Sequence, residues 1–213
     1  MRFLFDFLLP PVSLSGRGGD WLTTEELRLL FAEKRLRRHE RDDLDGGPLD
    51  GIDRLLAVTS YGEAPLIRKA LHRLKYRGLT VYAEPLGGLM TALSPHLQVP
   101  AVDALCPVPL HWSRRFWRGF NQAELLARPL AHEMRVPVLP LLQRTRGGKQ
   151  VGRSAEERRE AWRDAFVVTG PAPAHVVLVD DVVTTGATVL ACARALRAAG
   201  AERVSVACLA YAA

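Results

Sequence analysis

Cysteine is scarce in this chain, and its placement matters more than its number. The three cysteines, Cys106, Cys192 and Cys208, lie far apart in apolar surroundings, and no Cys-x-x-Cys pair occurs. That spacing excludes a zinc knuckle and a disulfide framework, and it fits three core thiols in a reducing compartment. Long hydrophobic runs are missing too. Residues 2–9 are apolar but interrupted by Asp6, far too short to span a bilayer, and without a small-residue cleavage site. They read as a strand or helix docked on the domain, so the protein is expected to be cytoplasmic, with no membrane insertion. Internal repeats and low-complexity tracts are also absent from the sequence.

What remains is an ordinary globular composition. The 213 residues suit one domain with a small appendage, and 48% apolar residues can bury a sizeable core. Twenty-nine Lys and Arg against 23 Asp and Glu leave a net charge of +6. Such a balance favours anionic partners without separating nucleic acid from phosphorylated metabolites.

The rest of the chain is organised around residues 176–189, Val-Val-Leu-Val-Asp-Asp-Val-Val-Thr-Thr-Gly-Ala-Thr-Val. Val176 to Val179 read as a strand buried on both faces, ending at the carboxylates of Asp180 and Asp181. A small hydroxylated loop comes next, and then an alanine-rich helix over 189–199 closed by Gly200. A helix N-terminus presents unpaired N–H groups and favours an anion. Gly186 lets backbone approach closely, while Thr184, Thr185 and Thr188 add hydroxyl donors beside Ala187. The loop suits a phosphate, and the acidic pair suits the vicinal hydroxyls of a ribose. The plainer alternative is that Asp181 with Thr184 or Thr185 only caps the helix.

Residues 1–50 differ in character from the remainder of the chain. Thr23 and Glu26 form a capping-box signature, with Leu27, Leu30 and Phe31 on one helical face. The helix is read as continuing into the basic run Lys34, Arg35, Arg37, Arg38 and Arg41, and breaking in a linker over 42–48. A main domain is expected over 51–213. It begins with a strand over 52–61 and a helix carrying Leu66, Ile67, Ala70, Leu71 and Leu74, whose other face holds Arg68, Lys69 and Arg73. Further helices are read over 83–93 and 122–134, and further strands over 102–108, 137–141, 165–169 and 203–211. Strands alternating with helices imply an α/β fold, a parallel sheet with helices on both faces.

Two more segments carry chemistry. In 111–122 arginines interleave with aromatics, the composition of surfaces that stack bases and hold phosphates of single strands. Trp112, Phe116 and Phe120 recur every four residues and fit a core-facing stripe. Trp117, Arg114, Arg115 and Arg118 fall off it as contact candidates, together with Lys75 and Arg77. Residues 143–163 are rich in arginine and fit either a mobile cationic hood over an anionic substrate or a plain surface loop.

The 176–189 motif resembles the phosphoribosyl-pyrophosphate (PRPP) loop of type I phosphoribosyltransferases. Four blocks in order extend the likeness to the ComF/GntX family, competence-associated phosphoribosyltransferase-like proteins. They are Tyr61-Gly62 with Leu66-Ile67 and Leu74-Lys75-Tyr76-Arg77-Gly78; Pro107-Val108-Pro109-Leu110 through Arg118-Gly119-Phe120-Asn121-Gln122; Arg144 with Gln150 and residues 158–166; and the Asp180-Asp181 loop. Family members commonly carry two Cys-x-x-Cys pairs after a Leu-Leu-Pro-Pro-like segment. Here Leu8-Leu9-Pro10-Pro11 is followed by Val12 and Ser13, so the appendage is expected to be metal-free, with no zinc. An asparagine usual in the third block is replaced by Ala161.

The resemblance implies a type I phosphoribosyltransferase-like fold with Asp180 and Asp181 on the ribose hydroxyls and residues 184–188 on the 5-phosphate. It places Arg114 and Arg115 near the pyrophosphate and Arg144 and Lys149 on the hood. Mg²⁺ would accompany PRPP if the protein is active. The implied role is support of DNA uptake in natural transformation, through single-stranded DNA binding beside a ComFA-like DNA translocase. The alternative is transfer of phosphoribose from PRPP to a nitrogenous acceptor.

Overall fold

The computed structural model describes residues 12–16, 18, 20–40, 51–97, 101–110, 118–145 and 165–212. Their centre is a sheet in the order β1-β2-β7-β6-β3. Its strands are β1 (Arg37–Glu40), β2 (Arg54–Ser60), β3 (Ala104–Pro107), β6 (His175–Val183) and β7 (Arg203–Tyr211). The pairings β2–β7, β7–β6 and β6–β3 are parallel, and β1 joins β2 antiparallel. A small hairpin of β4 (Leu142–Arg144) and β5 (Phe166–Val168) stands apart from it.

Alternation along the strands divides the core in two. Val177 and Val179 of β6 pack with Leu56, Val58, Ala207 and Leu209 under α2 (Pro65–Arg77), α3 (Ala83–Met90) and α5 (Gln122–Met134). Val176 and Leu178 pack with Leu55, Val206 and Cys208 under α6 (Ala187–Ala198) and the hairpin. Side chains on a strand point alternately to opposite faces, so a central strand covered on both sides must be apolar throughout. The valine-rich β6 meets that condition. The expected helix-flanked parallel sheet is present, with one antiparallel edge strand added.

That edge strand corrects one expectation. The first helix, α1 (Thr24–Ala32), has the capping box foreseen: Thr23 and Glu26 exchange side-chain-to-backbone hydrogen bonds. It ends at Ala32, however, and Arg37 and Arg38 lie in β1, paired across from Ala57 and Leu56. Glu33, at the end of α1, turns back and accepts the N–H groups of Leu66 and Ile67 at 3.0 and 2.9 Å. It thereby caps α2, whose own N-cap Ala64 supplies no side-chain bond. Leu14 and Leu30 enter the α2-side core. The described residues before 41 are thus built into the sheet and its covering helices. The linker read over 42–48 falls outside the described residues.

Other boundaries shift for local reasons. The helix expected over 83–93 is α3 flanked by single 3₁₀ turns, with a short α4 (Ser94–Leu97) after it. Gly87 lets α3 approach α5 closely, since a Cβ there would stand 2.7 Å from Pro129 Cγ. The strand expected over 137–141 reduces to one parallel bridge between Val138 and Leu105, and the extended pairing begins at Leu142. At the start of α5, Asn121 accepts the N–H of Ala123 at 3.1 Å and donates to the Val108 carbonyl at 3.0 Å. One side chain caps the helix and ties it to the end of β3.

Candidate functional site

The parallel strands β2, β7, β6 and β3 all end at the same edge, where ligands bind in open α/β sheets. Tyr61 follows β2 there and donates its N–H to the Tyr211 carbonyl at the end of β7, at 2.8 Å. Val108 follows β3 and donates to the Val179 carbonyl at 2.9 Å. β6 runs further than the sequence suggested. It reaches Val183, so Asp180 and Asp181 lie within the strand, three and two residues before its end.

The two carboxylates, although adjacent on the strand, meet different surroundings. Asp181, on the α2 side, is buried at 4% exposure. Lys75 from the last turn of α2 brings its Nζ to 2.8 Å from Asp181 Oδ2, while Oδ1 accepts the Val182 N–H at 2.6 Å. Asp180, on the α6 side, lines the concavity formed with residues 182–189. Its Oδ1 accepts the Asp181 N–H at 2.8 Å. Burial raises the Asp180 carboxyl far above the usual carboxylate range, and the Asp181 charge raises it further; Lys75 and the backbone donor only partly oppose them. The pair therefore carries one well-compensated charge on the α2 face and one readily protonated acid on the loop face.

The loop after β6 is shaped by Gly186. Its φ of 74° is left-handed, which favours glycine, and it stands as the N-cap of α6. No side chain caps α6, so Asp181, Thr184 and Thr185 do not serve as helix caps, contrary to the plainer alternative. The first-turn N–H groups, left without intrahelical partners, border a concavity of about 50 Å³. That volume accommodates a single small group rather than a whole nucleotide. Thr184 and Thr185 are exposed beside it, Thr188 and Ala187 half-buried. Taken together, the loop offers backbone donors, three hydroxyls and one acid.

The last turn of α2 supplies the neighbouring surface. Tyr76, next to inward-turned Lys75, is 70% exposed. Its ring lies 4.7 Å from that of His72, and the Arg118 guanidinium sits 5.7 Å from its centroid. Arg118 also donates to the Gln122 Oε1 at 2.6 Å, and Gln122 is itself buried. Gly78, left-handed at φ 65°, ends the helix after exposed Arg77. Three sequence blocks thus meet physically: residues 74–78, residues 118–122 and the acidic pair. Of the other candidates, Arg144 lies on β4 with its guanidinium 5.6 Å from the Phe166 ring. Arg114, Arg115, Trp117 and Lys149 fall outside the described residues.

Sequence reasoning quoted Tyr76 and Gln122 only inside the family blocks, without a role, and did not single out Glu33. For Tyr76 a signal was available. It lies off the Ile67–Leu71–Leu74 stripe and one helical turn after His72, so a polar-face aromatic was legible.

Comparison with known proteins was consistent with these blocks. A phosphoribosyl transferase domain model matches residues 121–213, from the N-cap of α5 through the phosphate-type loop to the last strand. The DNA utilization protein YhgH of Salmonella typhimurium is 39% identical over 166 residues, spanning 73% of this chain and 71% of its own. Competence protein F of Haemophilus influenzae is 38% identical over 115 residues, 51% of this chain and 50% of its own. The competence protein ComFC of Bacillus subtilis is 31% identical over 144 residues, covering 66% and 56%. The chain belongs to the ComF family. Its fold is that of a type I phosphoribosyltransferase-like α/β domain.

Among the described residues no three His, Cys, Asp or Glu side chains cluster as a held ion needs. One of the two carboxylates at the strand end is already paired with Lys75. Among the described residues, no helix is long and apolar enough to cross a membrane.

Proposed function

We propose that this ComF-family chain supports DNA uptake or use by binding single-stranded DNA, with a loop that holds the phosphoribosyl part of PRPP or a related ligand. The observation that carries the reading is the last turn of α2. Lys75 reaches inward to Asp181 while adjacent Tyr76 faces solvent under Arg118. A cationic and aromatic surface, the chemistry that holds single strands, is thus tied to the acidic pair that precedes the phosphate-type loop. The names of the relatives, two competence proteins and a DNA utilization protein, support the DNA role. A ComFA-like translocase is the partner this role calls for.

In the loop, the N–H groups at the start of α6 and the hydroxyls of Thr184, Thr185 and Thr188 hold the 5-phosphate. Asp180 faces the same concavity and meets the ribose hydroxyls, with Asp181 holding Lys75 behind it. Any Mg²⁺ arrives on the pyrophosphate of PRPP. A second reading, transfer of phosphoribose to a nitrogenous acceptor, is favoured by the open loop and uncapped α6 N-terminus.

Anisotropy of a labelled single-stranded oligonucleotide at two salt concentrations, with and without PRPP–Mg²⁺, tests both. Salt-sensitive binding is expected, and its absence refutes the DNA reading. Calorimetry with PRPP–Mg²⁺ alone is expected to show binding that Thr185→Val weakens; no heat of binding removes the loop assignment and the transferase reading together.

A further inference from the structure

α2 carries five cations, Arg68, Lys69, Arg73, Lys75 and Arg77, and no acidic residue. Lys69, Arg73 and Arg77 follow one another at i, i+4 and i+8, and like charges at that spacing destabilise a helix. A helix selected only for solubility mixes its signs. Part of this charge has a structural use: Lys75 pairs with Asp181, and Arg73 donates to the Ser13 carbonyl and the Tyr82 hydroxyl. Arg68, Lys69 and Arg77 are exposed on the outer side. Together with His72 and Tyr61 they line a groove of about 560 Å³ with no acidic residue in its wall. The nearest acid along the chain, Glu63, is engaged by Arg37 at 2.6 Å.

Aromatic rings are spaced along the same face. Pro65, Arg68, Lys69, His72 and Tyr76 fall at one helical face over eleven rises of about 1.5 Å, roughly 16 Å in all. At the start of the helix the Arg68 guanidinium lies 5.8 Å from the Tyr61 ring centroid; at its end Arg118 lies 5.7 Å from that of Tyr76. The Tyr76 ring leaves most of its surface to solvent although it is the largest apolar group on the helix exterior. An exposed ring between cations, over a helix with unrelieved positive charge, matches a polyanion that carries flat bases. An acidic peptide would not need the rings, and a lipid surface would need aliphatic side chains that this face lacks.

We infer that the outer face of α2, from Tyr61 through Arg68, Lys69 and His72 to Tyr76, is the track for single-stranded nucleic acid. On it, Arg68 and Lys69 hold phosphates, and Tyr76 stacks a base. The inference rests on the DNA-binding reading above and places the strand on residues outside the 111–118 segment.

The test uses the full chain and a labelled oligothymidylate, read by anisotropy across a salt series. For single strands the slope of log affinity against log salt is about −0.7 per phosphate neutralised. Arg68→Ala/Lys69→Ala is therefore expected to flatten the slope by about 1.4. Tyr76→Ala is expected to weaken binding roughly five- to a hundredfold, while Tyr76→Phe, which keeps the ring, binds as the parent does. All these positions are exposed, and unchanged melting temperatures confirm that folding is intact. If the parent binds and the variants match it in affinity and slope, the track is wrong while the DNA reading stands. Equal loss in Tyr76→Phe and Tyr76→Ala overturns the stacking role. A parent that ignores the oligonucleotide but binds anionic vesicles overturns both.

Discussion

The Lys75–Asp181 pair gives the sharpest stability prediction, because removing one partner leaves the other buried. Asp181 is 4% exposed and its Oδ2 lies 2.8 Å from the Lys75 ammonium, whose side chain is 20% exposed. At that separation and an effective dielectric near 20, the attraction is about 6 kcal/mol before desolvation. Measured losses on breaking buried pairs are about 3–5 kcal/mol. Partial access of water to Lys75 places this one toward the lower end, near 3 kcal/mol. In a chain of this length each kcal/mol shifts Tm by about 2–4 °C, so Lys75→Met should lower Tm by roughly 6–12 °C at pH 7. The same substitution made in an Asp181→Asn background should cost less than about 1 kcal/mol, since no buried charge is then abandoned. Thermal melts of the four proteins complete a double-mutant cycle. A loss below about 2 °C in the parent, or an equal loss in both backgrounds, would refute the charge argument and leave Lys75 as a packing residue.

Asp180 should give the opposite sign. Its carboxyl is raised by burial and then by the Asp181 charge, so the folded chain keeps a proton that the unfolded chain has released. Stability on this account falls as pH rises from about 4 toward the raised folded value. Asp180→Asn should therefore match the parent in Tm near pH 4.5 and exceed it increasingly toward pH 8; a pH-independent difference counts against it. Two adjacent helical glycines should behave differently. Gly87→Ala pushes a Cβ to 2.7 Å from Pro129 Cγ and should lose roughly 1–3 kcal/mol in denaturant melts. Gly88→Ala meets only Phe31 Cζ at 3.5 Å and should gain up to about 1 kcal/mol from helix propensity; a loss equal to that of Gly87→Ala would show that α3 is not set by the Gly87–Pro129 approach.

Periodicity made most of this fold legible. The apolar run of β6, the Ile67–Ala70–Leu71–Leu74 stripe of α2 and the Thr23–Glu26 capping box are local signals, and each appears where the sequence puts it. What local signals could not show was partnership. Residues 37–40 look like a charged helix end, yet they complete the sheet because β2 leaves an open edge and Arg37 and Arg38 can alternate along it. Glu33 looks like one more surface acid, and it caps α2 from another helix. At the site, the family blocks named three segments that the fold brings together. The division of labour between the two aspartates was hidden, because it depends on the strand continuing through them to Val183.

That continuation gives α2 its double character. Were the strand to stop at Val179, both carboxylates would fall in a loop free to face one ligand. Held in the strand, Asp181 is turned toward α2 and must be neutralised there. A cation at position 75, in the last turn of the helix, is the residue that reaches it. Fixing Lys75 inward sets the rotation of the whole last turn, and a rotation of about 100° per residue then carries Tyr76 away from the sheet and Arg77 beyond it. The exposed ring is thus a geometric consequence of the buried ion pair. A change in charge at Asp181 would bear directly on the helix turn that presents Tyr76. The acidic pair and the cationic face are separate surfaces joined by two consecutive residues of one rigid element, which is the shortest physical connection two sites can have.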